Sequence, residues 1–125
     1  MTQEAVAYIG EVLSGLGLNY SFDEWRETPI PDTYFTGTYI EHPSPTREES
    51  GYEESTFILR GYTRLTRLTL EQARETIRRA LPITTLLPSG SAIAIYYDTA
   101  DMVPQPGGAR KSIKINLNVQ EWRVN

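Results

Sequence analysis

Residues 112–122, SIKINLNVQEW, constrain this chain more than any other stretch. Ile113, Ile115, Leu117 and Val119 alternate with Lys114, Asn116, Asn118 and Gln120. Successive side chains of a strand point to opposite faces, so this period of two predicts a strand with one face buried and one face polar. A strand of that kind needs a sheet around it and a covering layer on its apolar side.

The rest of the chain supplies both. Residues 3–16 place Val6, Ile9, Leu13 and Leu16 at helical spacing, with Ala5, Tyr8 and Val12 widening the stripe and Glu4, Glu11 and Ser14 opposite. Gly15 and Gly17 provide a stop. LNYSFDEW (18–25), closed by TPIPD, reads as a short edge strand, and TYFTGTYIE (33–41) as a strand rich in tyrosine and threonine. In TFILRGYTRLT (56–66), Phe57, Leu59, Gly61, Thr63 and Leu65 share the inward face, while Ile58, Arg60, Tyr62 and Arg64 share the outward one. Thr69 and Gln72 have capping-box spacing ahead of a second helix, 70–81, with Leu70, Ala73, Ile77, Ala80 and Leu81 as its stripe and Pro82 at its end. SAIAIYYD (91–98) is apolar on both faces, as a central covered strand should be.

This order predicts an α+β domain spanning 1–125. It has one mixed or mostly antiparallel sheet of four or five strands, with two helices packed on one face. HPSPTREESGYEES (42–55) and TADMVPQPGGARK (99–111) read as mobile loops, the first acidic through Glu48, Glu49, Glu53 and Glu54. With 39% apolar and 22% charged residues, the composition excludes general disorder.

The reaction chemistries fall away in turn. The chain has no cysteine, which removes disulfide frameworks, thiolate zinc sites and cysteine nucleophiles. His42, the one histidine, lies between Glu41 and Pro43 beside the acidic loop, without zinc-ligand spacing and without a nucleophile elbow for it to serve. Asp23/Glu24 and Asp98/Asp101 are carboxylate pairs with no partner that assigns them acid–base work. Gly107–Gly108 lacks the spacing and the Lys-Ser/Thr pair of a phosphate loop. No cofactor, metal or catalytic residue is expected. The N-terminal stretch has no basic leader and carries Glu4 and Glu11, so neither a signal peptide nor a membrane span is expected.

Charge is unevenly spread. Residues 1–59 hold eleven acids and two bases, whereas 60–125 hold five acids and ten bases, which together give the net −4. Arg60, Arg64, Arg67, Arg74, Arg78 and Arg79 crowd into twenty residues with Tyr62 among them. Arginine and tyrosine are enriched at the energetic centres of protein interfaces, and these seven residues are the candidate interface. The same arginines offer phosphate contacts to a nucleic acid, but Glu71 and Glu75 stand at helical neighbour spacing to pair with them, and the chain as a whole is acidic.

The succession NYSFDEW, YFTGTYIE, ESTFILRGYTR, LEQARETIRRAL, AIAIYYDTADMVP and KSIKINLNVQEW resembles the small tail-completion, or tail-terminator, proteins of long-tailed phages and Gram-positive prophages over roughly residues 18–125. The resemblance implies a non-enzymatic α+β subunit of the virion tail or neck, assembled in the host bacterial cytoplasm. It would form a homo-oligomeric ring, typically a hexamer, which stops tube growth and meets the tail tube protein on one side and the head connector or neck on the other. Neither a membrane nor a specific nucleic acid would be a partner. Two readings from other classes stand beside it: a monomeric adaptor for one host or phage protein, and a small nucleic-acid-binding regulator.

Overall fold

A computed structural model describes residues 1–42, 52–104 and 110–122. Helix α1 spans Gln3–Gly15 and α2 spans Arg67–Ala80. The strands are β1 (Tyr20–Phe22), β2 (Thr33–His42), β3 (Tyr52–Thr63), β4 (Ile83–Leu86), β5 (Ala92–Val103) and β6 (Lys111–Trp122). They form one curled, mixed sheet of six strands in the order β1-β2-β3-β6-β5-β4, antiparallel except for the parallel β1–β2 pair.

The alternation of 112–122 sits at the centre of this sheet. Ile113, Ile115, Leu117 and Val119 of β6 are buried beside Phe57 and Leu59 of β3, Ile93 and Ile95 of β5 and Phe35 of β2. Ala5, Ile9 and Leu13 of α1 and Leu70 and Ile77 of α2 close the same core, which puts both helices on one face.

Two glycines decide how tightly this core closes. A Cβ on Gly61 would lie 2.3 Å from the ring of Phe35, its cross-strand partner, and 3.0 Å from Ile113. A Cβ on Gly37 would lie 2.4 Å from the ring of Phe57 and 2.8 Å from the Tyr20 hydroxyl. Each ring therefore lies directly on bare backbone, a close approach that only glycine permits.

The inward row of β6 continues to a charge. Glu121 is 1% exposed, and Thr2 donates to its Oε1 from Oγ1 (2.8 Å) and from the backbone N–H (3.4 Å). The same Thr2 hydroxyl accepts from Ala5 N–H (3.1 Å) as the N-cap of α1. The carboxylate thus sits at the positive end of a helix dipole and fixes where α1 starts.

Several expectations are corrected. The sheet has six strands rather than four or five, because ITTL (83–86) pairs with Ala92–Ile95 as an edge strand. Residues 99–103, expected as loop, extend β5 past an irregularity between Tyr97 and Thr99. One residue without a partner there shifts the side-chain parity, so Ala100 and Met102 turn to the core and the sequence pattern looks broken. Residues 52–55 and His42, expected in the acidic loop, are strand. The remainder of both loop segments, 43–51 and 105–109 apart from the strand bounds given, lies outside the described residues.

Helix α2 begins at Arg67 with Thr66 as N-cap, one turn before the Thr69/Gln72 spacing, and an Arg67–Glu71 pair (3.4 Å) spans the added turn. Leu65, expected inward, is 49% exposed. The chain leaves the sheet after Thr63: Leu65 N–H donates to Thr63 Oγ1 (3.1 Å) and Arg64 N–H to the Asp32 carbonyl (2.9 Å).

Gly61→Ala is expected to destabilise the fold by about 1–3 kcal/mol, since the added methyl would press on the Phe35 ring and Ile113, both buried. The midpoint of urea unfolding, at constant slope, measures it.

Candidate interaction face

The face of the sheet away from the helices carries the even-numbered residues of β2, β3 and β6. Cross-strand register arranges them in rows: Tyr34–Tyr62–Ser112–Val103, then Thr36–Arg60–Lys114–Asp101, Thr38–Ile58–Asn116–Thr99 and Ile40–Thr56–Asn118–Tyr96. One row further lie His42, Glu54, Gln120 and Ala94, and then Trp122, Ala92 and Leu86.

Three zones result. At one end Tyr34 and Tyr62 stack with centroids 5.1 Å apart, and Trp25 lies tilted against Tyr34 at 5.6 Å. The Arg110 guanidinium stands 5.1 Å from the centroid of Tyr34 and donates to the carbonyls of Asp32 (3.2 Å) and Pro31 (3.4 Å). Arg60 and Lys114 form the next row. The middle is polar: Asn116 donates to Thr99 Oγ1 (2.9 Å), Gln120 donates to Asn118 Oδ1 (3.2 Å), and His42 Nε2 lies 2.6 Å from Thr56 Oγ1. The far corner is apolar, with Leu86, Tyr96 and Trp122 exposed and Ile40 on the same face. Of nine exposed large hydrophobic residues among those described, Ile40, Leu86, Tyr96, Val103 and Trp122 lie on this face. Such a concentration on one sheet surface, combined with stacked tyrosines and arginine, has the composition of a protein-binding surface.

The seven candidate interface residues are divided by the fold. Arg60 and Tyr62 lie on the open face, and Arg64 is exposed just beyond the end of β3. Arg67, Arg74, Arg78 and Arg79 belong to α2 on the other side of the sheet. There Glu75 pairs with Arg78 (3.6 Å) and Arg79 (3.1 Å), and Glu71 pairs with Arg67. The two rows therefore meet different surroundings. Trp25, Tyr34 and Arg110 escaped the sequence reading. Tyr34 and Tyr62 share a face by parity, but only the pairing of β2 with β3 puts them side by side.

The unequal charge of the two halves becomes a polarity along the strands. Arg64, Arg67, Arg110 and Lys111 gather where β3 ends and β6 begins. Glu41, Glu53 and Glu54 gather at the opposite end, where Glu41 pairs with the Met1 ammonium. Glu48 and Glu49 lie outside the described residues. Among the described residues, no three His, Cys, Asp or Glu side chains converge as a metal site requires, and no helix is long and apolar enough to cross a membrane.

At the β1 edge, a cleft of about 160 Å³ is lined by Tyr20, Ser21, Trp25, Arg26 and Glu27. The Tyr20 hydroxyl and the Trp25 indole N–H are buried without a protein hydrogen-bond partner. Burial pushes the Tyr20 phenol up from 10 to about 12.

No family model and no curated protein matches the chain. The architecture does match a solved structure. A chain from the "Virion of native gene transfer agent (GTA) particle" superposes with a TM-score of 0.69 at 17% identity, over 88% of this chain and 84% of that one. The curled α+β sheet is thus a fold that this chain shares with a component of that virion.

Stability depends on pH through Tyr20. Below pH 10 its hydroxyl is neutral in the folded and unfolded chain alike. Between 10 and about 12 the unfolded chain ionises first, so stability falls as pH rises through that window. Tyr20→Phe is expected to flatten that alkaline decline and to be neutral or stabilising at pH 7, because the lost hydroxyl has no protein partner. Urea midpoints of both proteins at pH 8, 10 and 11 measure the difference.

Proposed function

We propose that this chain is a non-enzymatic structural protein of a phage or prophage virion, and more specifically a tail-terminator or tail-completion subunit. Copies of it form a ring, on the family pattern a hexamer, at the head-proximal end of the tail tube. The ring stops tube polymerisation, contacts the tube protein and offers a surface to the connector or neck.

The open sheet face carries this reading, because it concentrates exposed Leu86, Tyr96 and Trp122 with the Tyr34–Tyr62 stack and Arg60 on one surface. The fold shared with a component of the gene transfer agent virion supports the virion role. Charge polarity along the strands supports contacts between unlike ends or unlike partners, as a closed ring of heterologous contacts requires. A nucleic-acid reading draws on the same stack of Trp25, Tyr34 and Tyr62, since aromatic faces also receive bases.

Native mass spectrometry over a concentration series, with and without purified tail tubes, tests the assignment. A closed ring, or a fixed number of copies bound at one tube end, is the expected result. Arg60→Glu combined with Arg64→Glu is expected to leave the monomer folded and to weaken assembly at least about tenfold. A monomer that ignores tubes but binds single strands with steep salt dependence would transfer the face to nucleic acid.

A further inference from the structure

The basic end of the molecule holds a second feature, which shares Val103 and Ser112 with the first row of the open face. A cleft of about 440 Å³ opens where β5 ends, α2 begins and β6 enters the sheet. Met102, Val103 and Pro104 supply its apolar floor with Ser112 beside them, and Arg67, Arg110 and Lys111 are the cations that line it. None of its described lining residues is acidic. Leu65 adjoins it, since its carbonyl accepts from Lys111 Nζ (3.3 Å), and Leu65 and Val103 are both exposed.

We infer that this cleft is a docking site for an acidic segment of a partner protein that presents one apolar side chain between carboxylates. The chemistry of the lining sets each requirement. An apolar floor gains from burying a side chain that leaves water. Three cations around that floor favour carboxylates on either side of it and repel a basic segment. Arg67 is paired across the helix surface with Glu71 at 3.4 Å, an exposed pair that exchanges for an incoming carboxylate at little cost. Arg110 is held in place by the carbonyls of Pro31 and Asp32 and by the Tyr34 ring, so its guanidinium is positioned before any partner arrives.

The site lies beside Tyr62 and Tyr34 through the row that ends in Val103, so a segment seated here borders the open face. It does not require that copies form a ring. A ring can assemble with this cleft vacant, and the cleft can bind in a chain that never assembles.

The probe is a set of synthetic 12-residue peptides: glutamate and serine around a central leucine, the same peptide with leucine replaced by serine, and the same with every glutamate replaced by lysine. Binding is read from the methyl resonances of Met102, Val103 and Leu65 and from fluorescence anisotropy of a labelled peptide. The acidic leucine peptide is expected to shift those methyls saturably, and loss of leucine is expected to weaken it at least about fivefold. Arg67→Glu with Lys111→Glu should weaken it at least about tenfold, whereas Lys114→Glu, on the open face, should change it less than about threefold. Val103→Asp, at a position 37% exposed at the end of β5, should abolish the Met102 and Leu65 shifts without unfolding the chain.

The inference is overturned by any of three results: no saturable shift up to about 1 mM peptide, equal binding of the lysine peptide, or an equal effect of Lys114→Glu and the rim variant. Methyl shifts that follow the protein's own concentration instead of the peptide's would assign the cleft to a second copy and likewise overturn it.

Discussion

The structure depends on two rings lying on two glycines. Phe35 covers Gly61 directly across the β2–β3 pair, and Phe57 reaches diagonally over Gly37 to meet Tyr20 of β1. Any side chain at either glycine would push a ring out of the plane in which it packs, and both rings are almost wholly buried. Their close seat lets β2 approach the core that β3 and β6 define, and β1 can then add to β2 in parallel. Because core packing responds to volumes as small as one methyl group, these contacts fix the geometry of one half of the sheet.

With one face committed to the helices, the composition of the other has to be explained by something else. A solvated sheet face needs only polar residues, and the Asn116–Asn118–Gln120 column fits that description. The tyrosine stack at one end and the Leu86–Tyr96–Trp122 corner at the other do not. Leaving Leu86, Tyr96 and Trp122 in water costs solvation free energy, which burial against a partner of the kind proposed above would recover. The charge polarity along the strands adds orientation: a partner meeting the Arg64–Lys111 end experiences the opposite field from one meeting the Glu41–Glu54 end.

Much of this was legible in sequence, and for identifiable reasons. The parity of 112–119 and of 57–63 gave the inward and outward faces, including Arg60 and Tyr62 outward, because a strand covered on one side must alternate. Helix α1 was legible because its apolar stripe, the polar face opposite it and its glycine stop agree. What escaped depends on contacts distant in sequence. Strand β4 is four residues between prolines, too short to show a period. Strand β5 loses its parity at Asp98, so its second half reads as loop in the sequence. Glu121 occupies an inward position where its hydrogen-bond partner among the described residues is Thr2, more than a hundred residues away. The Trp25–Tyr34–Tyr62 aromatic cluster joins a loop, β2 and β3, and no local pattern announces it.

We propose that the open sheet face is covered by other proteins in an assembled particle. Hydroxyl-radical footprinting of the free chain against tube-bound or particle-bound protein tests it most directly, because tyrosine, tryptophan and leucine report side-chain exposure one by one. Tyr62, Leu86, Tyr96 and Trp122 are expected to lose reactivity on assembly while Tyr8, on the helix side, keeps it. Unchanged reactivity across the open face, with protection confined to the helices, would contradict it.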